Sequence, residues 1–590
     1  MGLPIPKLDD RTFAQLAEDG KKLISRYAPA WTDYNIHDPG VTFIELLAWL
    51  TEMEHYYLDQ IGEQNQRKFL KLLGVRQREA IPARAGVVFS LAPGEILADE
   101  DFFLPQGTKL AAEDIPFETE EFAWFVPGAI RKVISSVSTG IRDYTQANER
   151  GGVSYFPFGE EAEKGSRLYL GFDRAFPDNK TLSISFDLFE DYRDPAGNKV
   201  ERGVHGEEAP KVEVSAKIDW EFCVGMDGSR LLWVSPEKID DQTLDFTRSG
   251  RLFFQLSEEM KKALVPACTE ALFWLRATVR EGGFELPPRL NTIALNTASA
   301  IQRETLSEVI SFSSHGTAGQ SFCASTYLAF AGANLVQVRT PEGLWQEWTE
   351  TKDLSLSGPE DRHFSIQKEG GAVLQFGDGV RGAIPPPGKD NLRLVCVLPE
   401  WGDKRWLGKG TGLPNQKAVL DQTPVVSPTL LLQVGEPIRG EKGSEVIWRD
   451  FVGVDDFDAS GPGDAHFVLN SETGEILFGD GWHGAVPSAP EGGQRQNIRA
   501  ISYQSGGGAR GNVVAGGIDK TVGPPADWPK FRVNNPLAGS GGEAEETFEE
   551  AKRRALLDLQ TPYRAVTDED FEYLARSTPG LRVARAKARP

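Results

Sequence analysis

Over the first 80 residues the apolar positions recur at helical spacing, so this stretch is predicted to be a helical module. After Thr12, a suitable N-cap, Phe13, Leu16, Leu23 and Tyr27 fall roughly on one helical face. A second helix opens in TDYNIHDPGVTFIELLAWLTEMEHYYLDQI. Either Asp38 caps it with Pro39 and Gly40 in the first turn, or Thr42 and Glu45 form a capping box one turn later. Phe43, Leu46, Leu47, Leu50, Tyr57 and Ile61 recur at spacings of three, four and seven, and Ile44, Ala48 and Trp49 widen the stripe. A helix apolar over more than half its circumference needs cover on two sides. It is the centre of a small bundle or a surface for partner helices, with Trp31, Phe43, Leu46, Leu47, Trp49, Leu50 and Tyr57 the candidate contacts. A third helix, from about Gln64 to Leu73, ends at Gly74, which suits a C-cap.

From Ile81 the period changes. GVVFSLAP, LPQGTKLAAEDIPFETEE and WFVPGAIRKVISSV alternate short β-rich runs with Gly and Pro turns, and this texture continues to about residue 240. Residues 255–280 read as a short helix, LSEEMKKAL, followed by the strand ALFWLRATV. Beyond 310 the chain repeats itself at an offset of about 103 residues. Trp345 matches Trp448, Ser357-Gly358-Pro359 matches Ser460-Gly461-Pro462, and His363-Phe364 matches His466-Phe467. Phe376-Gly377-Asp378-Gly379 matches Phe478-Gly479-Asp480-Gly481, and upstream GTAGQSF at 316–322 resembles GTGLPNQ at 410–416. Two copies predict duplicated β-domains rather than a solenoid, which needs three or more. In each copy alternating positions predict a hairpin: Phe364, Ile366, Leu374 and Phe376 in the first, Phe467, Leu469, Ile476 and Phe478 in the second. Gly377, Asp378 and Gly379, like Gly479, Asp480 and Gly481, then end the strand in a tight turn.

Past residue 520 a Pro-rich linker, TVGPPADWPKF, precedes two helices, the last capped by Thr567 and Asp570. The final LRVARAKARP reads as a strand just starting, so a further domain is expected there. The fold class is therefore α+β and multidomain: an N-terminal helical module, a β-rich body with two duplicated β-domains, and a C-terminal helical segment. The divisions are 1–80 for the helical module, 81–240 for a β-rich domain with insertions, and 241–310 for a mixed α/β connector. Residues 311–408 and 409–520 are the two repeats, and 521–590 the linker and closing helices. A chain of 590 residues has room for roughly four domains of ordinary size.

Charge and chemistry narrow the function more by exclusion than by signature. The net charge of −22, from 86 acidic against 64 basic residues, opposes a phosphate backbone as main partner. Cys223, Cys268, Cys323 and Cys396 are spaced too widely for a metal knuckle and read as buried small hydrophobes in a reducing compartment. The N-terminus shows no signal peptide and no myristoylation pattern, and no run of about 18 apolar residues marks a membrane helix. Asp378 and Asp480 could suggest a calcium loop, but such a site needs six or more oxygens and each loop offers one carboxylate. His363 and His466 lack neighbours at ligand spacing, so a packing or turn role is expected. His37 is expected at solvent or an interface. GKGTGLPN and GGGARGN neither precede a helix nor end in Gly-Lys-Ser/Thr, which removes a phosphate loop, and there is no GxSxG elbow. No cofactor, metal or catalytic residue is assigned, and the chain reads as no enzyme.

Four ordered stretches resemble one family, the baseplate J-like wedge proteins of contractile phage tails and phage-like injection particles. WTDYNIHDPGVTFIELLAWLTEM, from Trp31 to Met53, is similar to that family's helix entry. The segment Pro105 to Thr119 resembles its Pro-x-Gly-Thr…Phe-Glu-Thr strand pair. The FGDG signature is similar in both copies, the second running on to Gly507, Gly508, Gly511 and Asn512, and Asn535 to Ala575 resembles the C-terminal landmark. Residues 140–260 match nothing in the family, and the family normally continues past this C-terminus. The resemblance implies a structural subunit assembled in the cytoplasm into a phage-tail-like particle. Its implied partners are a second copy or paralogous wedge subunit, other baseplate components, the sheath and the spike hub. Six wedges would ring the hub, with no direct membrane insertion, and rearrange through bistable interfaces on triggering. The alternative is a carbohydrate- or cell-surface-binding β-repeat protein, with Trp482 and Trp401 as ligand contacts.

Overall fold

The computed structural model describes residues 11–59, 63–97, 101–150, 152–189, 216–228, 230–266, 268–284, 286–368, 372–440, 443–490, 496–525, 528–560, 564–577 and 583–589. At 57–59, 63–67, 437–440, 443–445 and 559–560 it describes the backbone alone. The helices are α1 (Phe13–Tyr27), α2 (Pro39–Asp59), α3 (Glu63–Leu72), α4 (Thr145–Arg150), α5 (Tyr327–Ala331), α6 (Phe548–Gln560) and α7 (Asp568–Arg576). The rest is rich in strands, and the chain forms two compact units.

One unit joins Met1–Arg78 to Glu546–Pro590, so the two ends of the chain share a body. Glu546 bonds the two segments to each other. Its side chain pairs with Arg554 at 2.7 Å and accepts from the Arg78 N–H at 3.0 Å, while Arg554 also donates to the Arg76 carbonyl at 2.7 Å. These bonds hold the Glu546 carboxyl below the usual carboxylate range, the Arg554 contact foremost. Local capping starts the terminal helices. The Thr12 N–H donates to Gln15 Oε1 at 3.0 Å, and Thr567 and Asp570 bond reciprocally at 2.8 and 3.2 Å. Gly74, just past α3, has φ +75°, and its N–H donates to the Lys71 carbonyl.

One finding about this unit goes beyond the periodicity of α1, and one expectation is corrected. The face that α1 buries holds Ala17 and Ile24, while Leu23 and Tyr27 are exposed. The reason is Gly20: a Cβ there would lie 2.6 Å from Ile44 Cγ2, so α2 approaches over small residues and bypasses the larger apolar ones. Residues 583–589 take no strand; Lys587 Nζ and the Ala588 N–H both reach Glu572 on α7, at 2.7 and 3.1 Å.

The second unit, Glu79–Arg202 with Glu207–Glu545, is built of sheets. A six-stranded sheet gathers Arg84–Leu91, Lys109–Ala112, Ile115–Thr119, Thr297–Ile301, Lys520–Thr521 and Phe531–Asn534 from far apart in sequence. The stretch expected as a Pro-rich linker thus contributes strands, and its Trp528 packs edge-on to Phe102 and Tyr327 at 5.3 and 5.8 Å. A further six-stranded sheet (including Arg167–Phe172 and Phe273–Glu281) and a four-stranded one (including Leu182–Leu188 and Gly250–Gln255) enclose a core containing Phe172, Phe186, Trp220, Phe246 and Phe254.

The short helix expected at Leu256–Leu264 is absent. The segment runs irregularly and buries Leu256, Met260, Ala263 and Val265, its Lys261 N–H bonding the Cys223 carbonyl at 3.1 Å. Burial of those positions against neighbouring strands outweighs the helix propensity of the intervening Glu and Lys residues.

The central sheet is formed by β1 (Arg303–Ser314), β2 (Ser321–Ala324), β3 (Ala333–Arg339), β4 (Trp345–Glu350), β5 (His363–Gln367), β6 (Ala372–Phe376), β7 (Gly388–Val397), β8 (Lys417–Val419), β9 (Leu431–Gly440), β10 (Gly443–Val454), β11 (His466–Leu469), β12 (Glu475–Phe478) and β13 (Ile498–Gly506), with the short strand Trp406–Gly408 pairing on β13 off the main path. Its order is β2-β6-β5-β4-β3-β7-β1-β13-β9-β10-β11-β12-β8, which reads the same outward on both sides of β1. A further pairing, Trp345 with Trp448, brings β4 against β10.

Candidate interaction surface

Asp38 starts α2 with both carboxylate oxygens engaged. Oδ1 accepts from the Gly40 N–H at 2.6 Å and Oδ2 from Trp31 Nε1 at 2.9 Å. Pro39 is the first helical residue, and Thr42 bonds back to the Asp38 carbonyl from within the helix. A Cβ on Gly40 would lie 2.4 Å from Trp31 Cη2, so only glycine admits the indole there. The Trp-Thr-Asp…Asp-Pro-Gly spacing is thus one local contact set. His37, just before it, is exposed.

The two sides of α2 differ. Val41 and Ala48 are buried and Ile44 sits on Gly20 of α1. On the other side Phe43 is 66% exposed, Leu46 49%, Leu47 61%, Trp49 48% and Leu50 43%. Trp31 is half-buried at the helix start, and the Tyr57 side chain lies outside the described residues. Because each is already about half covered, full burial by a partner would gain about 1–2 kcal/mol per side chain.

The repeated loops carry matching geometry. Phe364 pairs with Phe376 across β5 and β6, and Phe467 with Phe478 across β11 and β12. Asp378 Oδ1 accepts from the N–H groups of Val380 and Arg381 at 2.9 and 2.7 Å, and Asp480 Oδ1 from Trp482 and His483 at 2.8 and 2.6 Å. These N–H bonds hold both carboxyls below the usual range. Gly379 and Gly481 both have φ +88°. Replacing either with Ala should lower stability by about 1 kcal/mol, read as a fall in melting temperature; no change in both variants contradicts it.

Ser357 bonds His363 Nδ1 at 2.8 Å, and Ser460 bonds His466 Nδ1 at 2.9 Å, a link that the recurring Ser-Gly-Pro and His-Phe pairs could have signalled. The upstream match is shifted by two residues from the expected register. Gly319 N–H bonds the Gly377 carbonyl as Asn415 N–H bonds that of Gly479, and Phe376 N–H bonds the Gln320 carbonyl as Phe478 N–H bonds that of Gln416. Gln320 therefore corresponds to Gln416, because the partners are set by the sheet and not by sequence identity alone. A second recurrence, Asn391-Leu392-Arg393 and Asn497-Ile498-Arg499, extends the repeat past the FGDG turns; both asparagines tie loops together and both arginines are buried.

Of the two tryptophans considered for ligand contact, Trp482 is 76% exposed at the loop tip, but Trp401 is buried and packs on Tyr503 at 4.8 Å. Trp401 is therefore core, a correction to the surface role expected for it. Cys223 and Cys396 are buried and all four cysteines are free, but Cys323 is exposed on strand β2, contrary to its reading as a buried hydrophobe. Among the described residues no three His, Cys, Asp or Glu side chains come together at metal-binding distance, and no helix is long and apolar enough to cross a membrane.

No family model matches the sequence, and no curated protein matches it. Among solved structures the chain is similar to the TssK-TssF-TssG baseplate subcomplex of the type VI secretion system, with 11% identity over 91% of this chain and 80% of that one and a TM-score of 0.35. It is also similar to the anti-feeding prophage (AFP) baseplate, with 13% identity and a TM-score of 0.15. That match covers 47% of this chain and 48% of the other, so the chain spans about half of that neighbour's length.

Proposed function

We propose that the chain is a structural subunit of the baseplate of a contractile injection machine, in the wedge that links spike hub to sheath. The observation that carries the reading is the outward apolar side of α2, following directly on the Trp31–Gly40 helix entry that resembles the wedge family. Phe43, Leu46, Leu47, Trp49 and Leu50 are the partner-facing residues, with Tyr57 continuing the stripe in sequence. The FGDG turns and the two related β-domains, taken as a duplication, form the body that α2 would anchor to a second copy or a paralogue. Its role is mechanical. It carries no cofactor and acts through rearrangement of interfaces.

The test is to tag the chain in its host, sediment high-mass particles and image them by negative stain. Co-sedimentation with sheathed tubes, with label at one end, supports the proposal; a lone soluble species with no tubes sinks it. Leu47→Glu with Leu50→Glu should abolish incorporation while leaving the melting temperature of the isolated chain within about 1 kcal/mol equivalent, because both residues are exposed. Normal incorporation of that variant removes α2 from the interface. The exposed Trp482 keeps a glycan-binding reading testable: saturable binding on a glycan array, lost in Trp482→Ala, would replace the machine.

A further inference from the structure

Two buried arginines meet at the seam between β4 and β10. Arg393, on β7, lies over the Trp345 ring at 3.6 Å, and its Nη1 and Nη2 reach Asp450 at 2.9 and 2.8 Å. Arg499, on β13, lies over the Trp448 ring at 3.4 Å, and its Nη2 reaches Glu347. The arrangement is reciprocal. Each arginine stacks on the tryptophan of its own half and pairs with the carboxylate two residues beyond the tryptophan of the other half.

Gln337 and Gln433, both fully buried, join the two pairs. Their amides exchange hydrogen bonds at 3.1 Å in each direction. Gln337 Oε1 accepts from Arg393 Nε at 2.8 Å, and Gln433 Oε1 accepts from Arg499 Nη2 at 2.8 Å. Gln433 Nε2 also donates to Asp450 Oδ1 at 3.0 Å. Six polar side chains, three from each half, are therefore one connected network.

We propose that this network is a single lock that makes the two halves of the central sheet one rigid body, opening as a whole or not at all. Ladders from β1 to β7 and β13 join the halves on one side, but at the seam, among the described residues, the backbone supplies only the Trp345–Trp448 pair, too little ladder to hold β4 against β10 by itself. Arg393 and Arg499 are 3% and 1% exposed, so neither can lose its carboxylate and turn to water instead. Gln433 touches members of both pairs; displacing it on one side strips partners from the other. A half-open seam leaves buried donors unpaired, which disfavours it against both the closed and the fully open state. The lock stands independently of the baseplate reading. In a subunit that carries load, it is a second path for force between the halves, beside the β1–β13 ladder.

Glu347 and Asp450 are the accessible members, with side chains 37% and 26% exposed, and are the ones to change. Hydrogen exchange is measured by mass spectrometry on the full chain for wild type, Glu347→Gln, Asp450→Asn and the double variant. Each single change should raise exchange on both β4 and β10 by about tenfold, and the double should exceed either single by no more than about twofold. Rises confined to the substituted strand, with the double equal to the product of the singles, overturn the lock. Gln433→Met covers the case in which a carboxylate variant does not fold, since it removes the bridge and leaves both carboxylates. Exchange on β4 and β10 should rise together in it, and a rise confined to β9 and β10 overturns the proposal.

Discussion

Glu118→Ala should destabilise the chain by about 3–5 kcal/mol, the largest loss expected from any single substitution considered. The Glu118 side chain has no solvent exposure, and its carboxylate accepts from Lys109 Nζ at 2.9 Å and from Thr305 Oγ1 at 2.6 Å. It also accepts from the Thr305 N–H and, at 3.4 Å, from Arg303 Nε. These bonds tie the Lys109–Ala112 and Ile115–Thr119 hairpin to the start of β1. Removing the carboxylate leaves the Lys109 ammonium, 8% exposed, without its counter-charge. Lys109→Met should cost less, because Glu118 would keep Arg303 and both Thr305 donors. Chemical denaturation of the three proteins measures the order. A Glu118→Ala variant within about 0.5 kcal/mol of wild type would show that the cluster adds nothing to stability.

The second large effect lies in the repeated loops, at glycines with ordinary φ. Gly479→Ala and Gly377→Ala should each cost about 3 kcal/mol, more than Gly481→Ala or Gly379→Ala. A Cβ on Gly479 would stand 2.2 Å from the Gly484 carbonyl oxygen, and one on Gly377 would stand 2.2 Å from that of Gly382. The obstacle is backbone, which no rotamer change can move. Gly484 is held by its N–H bond to the Gly461 carbonyl at 3.1 Å and by its carbonyl bond from the Gly481 N–H at 3.0 Å. Relief of the clash must break one of these. Melting temperatures of the four alanine variants test the ranking, and Gly481→Ala falling below Gly479→Ala would refute it.

The contrast between these glycines separates what is local from what is not. A positive φ follows from a tight turn after a strand, and alternating Phe, Leu and Ile positions announce that strand in the sequence. The crowding at Gly377 and Gly479 depends on where the loop returns five residues later. The FETEE segment shows the same division. Its alternation is readable, but Glu118 becomes the centre of an ion cluster only because β1 passes beside it.

Helix starts at Thr12, Asp38 and Thr567 and the wide apolar stripe of α2 were legible because capping and helical periodicity act over a few residues. The buried face of α1 was not, since Ala17 and Gly20 are chosen by the approach of Ile44 and not by hydrophobicity along α1 itself. Nor did composition reveal that Leu256, Met260 and Ala263 would be buried without a helix.

What the sequence determined by itself is the set of local elements and their recurrence: α2 and its two apolar sides, the turns after Phe376 and Phe478, and the matching Trp, Ser-Gly-Pro and His-Phe positions. Those follow from backbone sterics, capping and periodicity, whose range is one or two turns of chain. Only the tertiary structure decided that Arg76 and Arg554 share a body, that Trp401 is core, and that Arg393 and Arg499 exchange carboxylates across Gln337 and Gln433. Such pairings join residues from about 50 to several hundred positions apart, and their energy comes from desolvation and charge in a closed interior. No interior exists until the sheets have met, so nothing in the local pattern encodes which partners it will contain.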